Sequence, residues 1–175
     1  NEMKIRKIPY VGLVALLVFG PSLYAQEKPT PEQERQAKIE QALKELKNKN
    51  VDTRLSAALV LGHLRAKEHT ADIAELLKDQ DWKVRELALG VLANQLVAKE
   101  YAKEIAELLS DQAASVRASA AQALASLGAR EQKKDVARLL TDTEKWTNPQ
   151  FDIFPGEHTV KGAAARALAR LGAKE

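Results

Sequence analysis

Seven charged residues recur at matching places along this sequence. Four bases each precede a run of alanines and leucines at helical spacing, and three acids stand shortly before such runs. The bases are Arg54, Arg85, Arg117 and Lys161, and the acids are Asp79, Asp111 and Asp142. Residues spaced by one repeat stand in a row along a stacked structure. The row predicts either a structural ladder of charges or an anion-binding strip. Because the acids accompany the bases nearly one for one and cancel their field, we favour the structural ladder.

The histidines and clustered carboxylates do not form a metal-binding pattern. A zinc site needs three or four converging ligands, and His63, His69 and His158 lack partners at such spacing. Three acids in one loop do not follow the spacing of a calcium-binding loop, namely Asp142, Glu144 and Asp152. We therefore expect neither a metal nor a cofactor.

A catalytic nucleophile is equally hard to find. The chain has no cysteine, which excludes thiolate metal sites, disulfides and a cysteine nucleophile. No serine lies in a glycine-flanked turn with a partnered histidine, and no glycine-rich phosphate loop occurs. We expect this protein not to be an enzyme.

Composition and charge narrow the class of protein further. Of the 175 residues, 45% are hydrophobic and 5% are aromatic, and alanine and leucine dominate. This composition is typical of packed helices rather than of a β-sandwich or barrel. The net charge is +3, and residues 26–175 carry a net charge of +1. A body so close to neutral argues against a nucleic-acid partner, which would require a basic face.

A repeated motif organises the body of the chain. Leucine, leucine, a polar residue and aspartate occur at 76–79, 108–111 and 139–142, at intervals of 32 and 31 residues. A second block follows each motif, with alanines and leucines at steps of three and four, and a divergent copy begins at Thr53. These patterns predict helices at 31–47, 53–65, 70–78, 83–97, 100–110, 114–127, 131–141 and 159–172. Glycines 128 and 172 predict left-handed helix ends.

Four helix pairs without a strand pattern predict an all-α fold, an α-solenoid. Ten small residues are expected to let the helix axes approach closely: Ala57, Ala58, Ala88, Ala120, Ala121, Ala123, Ala163, Ala164, Ala165 and Ala167. The pattern of aspartate, Val-Arg, alanines and Leu-Gly-Ala over residues 31–175 resembles the HEAT-like repeat, in the short form of phycobilisome lyases. This resemblance implies that the arginines pair with aspartates of a neighbouring repeat. It implies little about function, because such repeats serve lyases, transport factors and scaffolds alike.

The N-terminal segment has the layout of a secretory signal peptide. Residues 1–25 contain three bases, an apolar stretch from Val11 to Phe19, a Gly20-Pro21 break and Ala25 before a cleavage point. Asn1 and Glu2 precede the apparent start Met3. The alternative is an uncleaved membrane anchor over 8–25, since no charge occurs there. Cleavage leaves no membrane insertion and predicts a periplasmic or secreted protein. Residues 26–30 form a polar linker.

An insertion at 143–158 interrupts the last helix pair. The interval from Arg117 to Lys161 is 44 residues, 12 to 13 more than the regular spacing. The segment carries three large rings, Trp146, Phe151 and Phe154, which are candidates for contacting a protein partner. The same rings could instead cover the end of the hydrophobic core, and the sequence leaves both interpretations open.

These patterns together favour an exported, non-catalytic scaffold that binds another protein. Two alternatives stay open: a subunit of an enzyme similar to a chromophore lyase, and a fragment of a longer repeat array. A lyase subunit is expected in the cytoplasm, so the signal-like segment argues against it.

Overall fold

A computed structural model describes residues 28–146 and 158–172 of this chain. Several predictions lie outside the described residues: the signal peptide or anchor, and the side chains of Trp146, Phe151 and Phe154. The chain divides into two compact units, residues 1–34 and 35–175. Within the described ranges, no helix is both long and apolar enough to cross a bilayer.

The described part of the first unit contains the start of helix α1, Pro31–Glu45. The Thr30 hydroxyl accepts a hydrogen bond from the Gln33 backbone N–H, and the Gln33 side chain accepts one from the Thr30 N–H. This reciprocal capping box satisfies two donors that a helix start leaves unpaired. Pro31 at the first helical position and the acids Glu32 and Glu34 support the same start.

Residues 35–146 and 158–172 form the predicted stack of helix pairs, so the all-α solenoid is confirmed. The second helices of the four pairs are α2 (Val51–His63), α4 (Trp82–Gly90), α6 (Ala114–Leu127) and α8 (Val160–Gly172). The first helices of pairs two to four are α3 (Thr70–Glu75), α5 (Ala102–Glu107) and α7 (Lys133–Arg138). Each of these three tightens into a 3₁₀ turn, at Leu76–Lys78, Leu108–Ser110 and Leu139–Thr141.

Buried alanines set the spacing of this stack. Three residues after the ladder base, every second helix carries a fully buried alanine, at Ala57, Ala88, Ala120 and Ala164. Leucines, isoleucines and valines from both helices of each pair fill the space around them in one continuous core. Ten alanines were expected to lie between helices, and this expectation is wrong for Ala165, which is exposed.

The first three second helices end in the same left-handed turn, but glycine is not required for it. Gly128 has φ of +68°, as predicted, and Arg65 and Val97 take φ of +48° and +56° at the equivalent positions. The following alanine closes each turn, as when the Ala129 N–H donates to the Leu124 carbonyl. A left-handed end at Gly172 was predicted wrongly, since this glycine remains within α8. Short 3₁₀ helices follow the three turns, at Lys67–His69, Lys99–Tyr101 and Arg130–Gln132.

The second pair contains one more residue than its neighbours. Arg85 and Val97 are 12 residues apart, whereas Arg54 and Arg65, like Arg117 and Gly128, are 11 apart. A π-helical turn at Val91–Leu96, directly after α4, accommodates the extra residue. The predicted helix 83–97 is therefore α-helical in its first part and π-helical in its last.

The insertion begins and ends in a small ribbon. Strand β1 (Lys145–Trp146) pairs antiparallel with β2 (His158–Thr159), and Lys145 lies opposite Thr159. The sequence showed no strand pattern because each strand has two residues. This pairing brings the two ends of the insertion together at the start of α8.

Candidate functional site

The first rung of the charge ladder joins the first two helix pairs. The Arg54 Nε donates to Asp79 Oδ2 and its Nη2 donates to Asp79 Oδ1, each at 2.7 Å. The two side chains are 13% and 9% exposed. A planar guanidinium matched to a carboxylate in this way is a strong and geometrically specific contact.

The second rung repeats this geometry between the second and third pairs. The Arg85 Nε donates to Asp111 Oδ2 at 2.7 Å, and its Nη2 donates to Asp111 Oδ1 at 2.8 Å. The predicted row of bases and acids is thus brought together across 25 to 26 residues of sequence.

The remaining nitrogen of each guanidinium, Nη1, donates to the loop between the two helices of its own pair. The Nη1 of Arg85 donates to the carbonyls of Asp79 and Gln80 at 2.8 and 3.0 Å. Arg54 and Arg117 contact the equivalent carbonyls in the same way. Four hydrogen bonds from each arginine therefore go to protein atoms, which agrees with a structural ladder rather than an anion-binding strip.

The acids are fixed by their own turns. The Asp79 Oδ1 accepts a hydrogen bond from the Asp81 N–H, and the Asp111 Oδ1 accepts one from the Ala113 N–H. Burial alone opposes ionisation of these carboxyls, but the hydrogen bonds from arginine and the backbone outweigh it. The pKa of Asp79 and the pKa of Asp111 therefore lie below the ordinary value.

The arginine partners shift in the opposite direction. Hydrogen bonding to Asp79 raises the pKa of Arg54, and hydrogen bonding to Asp111 raises the pKa of Arg85, each against the effect of burial. Burial opposes the charge of Arg117 most strongly, yet its two acidic partners raise the pKa of this guanidinium as well. Both partners of the first two rungs, Arg54 with Asp79 and Arg85 with Asp111, are therefore charged at neutral pH.

The third rung holds the base of the insertion. Arg117 donates from Nε to Asp142 Oδ2 at 2.8 Å and from Nη2 to Glu144 Oε2 at 2.6 Å. The returning chain binds the same segment, since the Val160 N–H donates to the Glu144 carbonyl and the Lys161 N–H donates to the Asp142 carbonyl. Glu144 was missed as a ladder residue, although its place two residues after Asp142 is a usable signal.

Lys161 occupies the ladder position of α8 but does not join the ladder among the described residues. Its side chain is exposed and contacts no described acid, while its backbone N–H binds Asp142. The fourth position of the predicted ladder therefore differs from the other three.

A second candidate feature is the outer face of the second helices, which is exposed except at the half-buried Gly90 and Ser126 and which we call the second-helix surface. It consists of the residues five and nine positions after each ladder base: Leu59, His63, Gly90, Asn94, Gln122, Ser126, Arg166 and Arg170. Adjacent helices meet along it, since Arg170 Nη1 lies 3.5 Å from Ser126 Oγ. The surface changes from apolar at Leu59 through neutral polar residues to basic at α8.

The remaining candidate groups show ordinary surface contacts. His69 Nδ1 lies 3.1 Å from Asp72 Oδ2, and His63 is exposed. Within residues 28–146 and 158–172, no three histidines or acids converge as metal ligands. A cavity of about 160 Å³ lies between the first helices of pairs two and three, lined in part by Glu75, Tyr101, Glu104 and Glu107.

Comparison with known families agrees with this geometry. The family described as HEAT repeats matches residues 73–148. Residues 73–148 are therefore similar to HEAT repeats. The match covers the second and third pairs and the beginning of the fourth, including the two acids of the third rung. The first pair and α8 lie outside the matched residues, and each carries a base at the ladder position, Arg54 and Lys161.

The solved structures that are similar to this chain include a lyase complex and an engineered protein. One is the complex of CpcE and CpcF of phycocyanin lyase from Nostoc sp. PCC7120, with 22% identity and a TM-score of 0.60 over 85% of this chain. This chain covers 56% of that one, so it spans a little over half of its length. An engineered protein is 22% identical to this chain, with a TM-score of 0.49. The match covers 76% of this chain and 62% of the engineered protein. No curated protein sequence matches the chain. These similarities concern the fold.

Proposed function

We propose that this protein is an exported scaffold that binds another protein along its second-helix surface and does not itself catalyse a reaction. The observation that carries the proposal is the ladder, because three sets of charge-assisted hydrogen bonds fix each pair against the next. A stack fixed in this way presents an extended surface with little conformational entropy left to lose on binding. HEAT repeats generally mediate protein interactions, which supports the same function.

The charges of the second-helix surface indicate the kind of partner. Arg166 and Arg170 are exposed on α8, and the described part of that helix contains no acid. The bases of the three complete rungs are neutralised by acids, so the ladder does not supply the continuous basic strip that a nucleic acid would need. A protein with an acidic patch near one end of its binding site fits this distribution.

A charge reversal with a matched control tests this function. In an envelope extract, the parent is cross-linked to its protein partner. We expect the Arg166→Glu/Arg170→Glu variant not to be cross-linked to that partner, although its melting curve should match that of the parent. The control, Lys134→Glu/Arg138→Glu, makes the same change at exposed positions of α7 and should retain that protein. Equal capture by the two variants would contradict binding along the second-helix surface.

Export is the second part of the proposal, supported by the basic and apolar layout of residues 1–25. The mature protein is expected to begin at Gln26 and to occur in the periplasmic or secreted fraction. Intact mass and N-terminal sequencing of the exported protein test this directly. An unprocessed mass in the membrane fraction would instead support the anchor over residues 8–25.

The alternative function is that of a chromophore-lyase-like enzyme subunit. The structural similarity to the phycocyanin lyase complex favours it. Incubating the protein with a bilin and a chromophore-free phycocyanin subunit, alone and with a second lyase subunit, tests this alternative. Covalent attachment of the bilin, seen as colour that persists on the denatured subunit, would replace the scaffold proposal.

A further inference from the structure

One stripe of each second helix faces the next helix pair. The stripe comprises the ladder base and the residues four, seven and eight positions after it. In the first pair these are Arg54, Ala58, Leu61 and Gly62. The base pairs with Asp79 of the next pair, and a Cβ added at Gly62 would meet the Gln95 side chain of that same pair. The stripe is therefore the stacking surface between successive pairs.

In three pairs the apolar part of this stripe is buried by the pair that follows. Its small and leucine residues are at most 7% exposed, namely Ala58, Leu61, Leu89, Leu92, Ala93, Ala121, Leu124 and Ala125. The ladder base at the edge of the stripe is held by an acid in each case. Apolar burial and a charged rung thus act together at each junction.

No residue within 28–146 or 158–172 covers the same stripe on α8. Lys161, Ala165 and Ala169 are exposed, and Leu168 is partly buried. Their residue types match those of the buried stripes: a base, small side chains and a leucine. The surface is therefore a stacking surface of the established kind that no described residue occupies.

We propose that this stripe of α8 docks a helical repeat of a partner protein, one that carries an aspartate at the ladder position to pair with Lys161. The argument is continuity, because the partner repeat would extend the interface already formed three times along the stack. The alanines at 165 and 169 permit the close approach of helix axes seen between α2, α4, α6 and α8. This inference rests on the proposed binding function and names a second surface for it.

Charge complementarity shows why the occupant is not a second copy of this chain. The equivalent of Asp79 in the first pair is Asn48, whose Oδ1 accepts from the Asn50 N–H just as Asp79 accepts from Asp81. A second copy stacked head to tail would place this neutral amide opposite Lys161. Two copies stacked through their α8 stripes would bring Lys161 near its own counterpart, with like charges facing.

The difference between Asn48 and Asp79 also supplies a defined probe. A full-length donor chain with Asn48→Asp and Lys161→Glu presents the missing carboxylate on its first pair, and it cannot polymerise through its own α8. The acceptor is the parent chain. Asn48 and Lys161 are exposed, so neither substitution removes a core contact. Sedimentation of a mixture of the two purified chains, or titration of one chain with the other, measures their association.

We expect the donor to bind the parent acceptor in a 1:1 complex, while the parent chain alone stays monomeric. Lys161→Glu or Ala165→Glu in the acceptor should weaken binding at least tenfold, and Lys161→Arg should strengthen it, because guanidinium pairs with carboxylate in two bonds. Arg138→Glu, the same charge change on α7, should leave binding unaltered. Melting curves for each variant confirm that they are folded.

Three results would overturn the inference. They are an absence of donor binding, equal donor binding by the Lys161→Glu acceptor, and self-association of the parent as tight as its binding to the donor. The last result would identify a second copy as the occupant. Because this test uses no cellular partner, its failure is distinct from a failure of the Arg166 and Arg170 variants in the envelope extract.

Discussion

Arg85 and Asp111 lie 26 residues apart in sequence and are joined by two parallel hydrogen bonds of 2.7 and 2.8 Å. The same guanidinium binds the loop carbonyls of its own helix pair, and the same carboxylate caps the Ala113 N–H of the next. One contact therefore fixes the internal turn of the second pair and the stacking of the third pair on it.

A double-mutant cycle on Arg85 and Asp111 should show strong coupling. Because both side chains are largely buried, each single change to alanine leaves an unpaired charge, and we expect a loss of about 2–4 kcal/mol in the free energy of unfolding. The coupling energy should be about 1–3 kcal/mol. Urea melts of the parent, both single variants and the double variant measure it.

The exposed pair Asp135 and Arg138 is the control for that cycle. Its side chains are 42% and 81% exposed, so its coupling energy should be at most about 0.5 kcal/mol. Equal coupling in the two cycles would mean that burial does not strengthen the ladder.

Stability should fall in acid because of Asp79 and Asp111. Folding lowers the pKa of each carboxyl, so the folded state binds protons less readily than the unfolded state. The resulting stabilisation is complete above the unfolded pKa of about 3.9 and is lost as the pH falls through the folded pKa. Urea midpoints between pH 7 and pH 2 should show this decline.

The variant Asp79→Asn/Asp111→Asn isolates that dependence. It should be less stable than the parent at pH 7 and should lose less stability on acidification. Asp135→Asn changes a carboxyl of an exposed pair and should keep the acid dependence of the parent. A parallel decline in all three proteins would place the acid sensitivity elsewhere in the chain.

Val97 should be a site of stored backbone strain. It takes φ of +56° at an exposed position, although a β-branched residue is disfavoured there. We expect Val97→Gly to raise the free energy of unfolding by about 1 kcal/mol. Thermal or urea melts measure the gain.

The reverse change at the equivalent position is the matched control. A Cβ at Gly128 would meet no atom within 4 Å, so Gly128→Ala tests the positive φ without a steric clash. It should cost about 1 kcal/mol. A neutral result at both positions would show that the turn tolerates side chains without strain.

The rings of the insertion should affect partner binding more than stability. Arg117 binds Asp142 and Glu144, and the β1–β2 ribbon pairs through its backbone, so charged and main-chain contacts fix the base of the insertion. We expect Trp146→Ala/Phe151→Ala/Phe154→Ala to melt like the parent and to capture less of its protein partner. A loss of several kcal/mol in stability would instead show that the rings cover the core.

Repetition is why so much of the fold follows from the sequence. The positions of Ala57, Ala88, Ala120 and Ala164 repeat with the ladder bases, so their common burial and the helix order are predictable from spacing. The capping box of Thr30 and Gln33 was also readable, since its two residues lie three apart.

Tertiary structure decided what periodicity does not encode. Among Arg65, Val97 and Gly128, residue type predicts a left-handed turn only at the glycine. All three nevertheless take this turn, because the stacking of the helices fixes the backbone there. Periodicity likewise makes Arg117 equivalent to Arg85, although the insertion provides it with Glu144 as a second acid. Ala165 and Ala121 are the same residue at the same repeat position, but their burial differs because burial depends on what lies opposite. The sequence therefore determined which residues are equivalent, and packing across 25 or more residues decided which partner each of them meets.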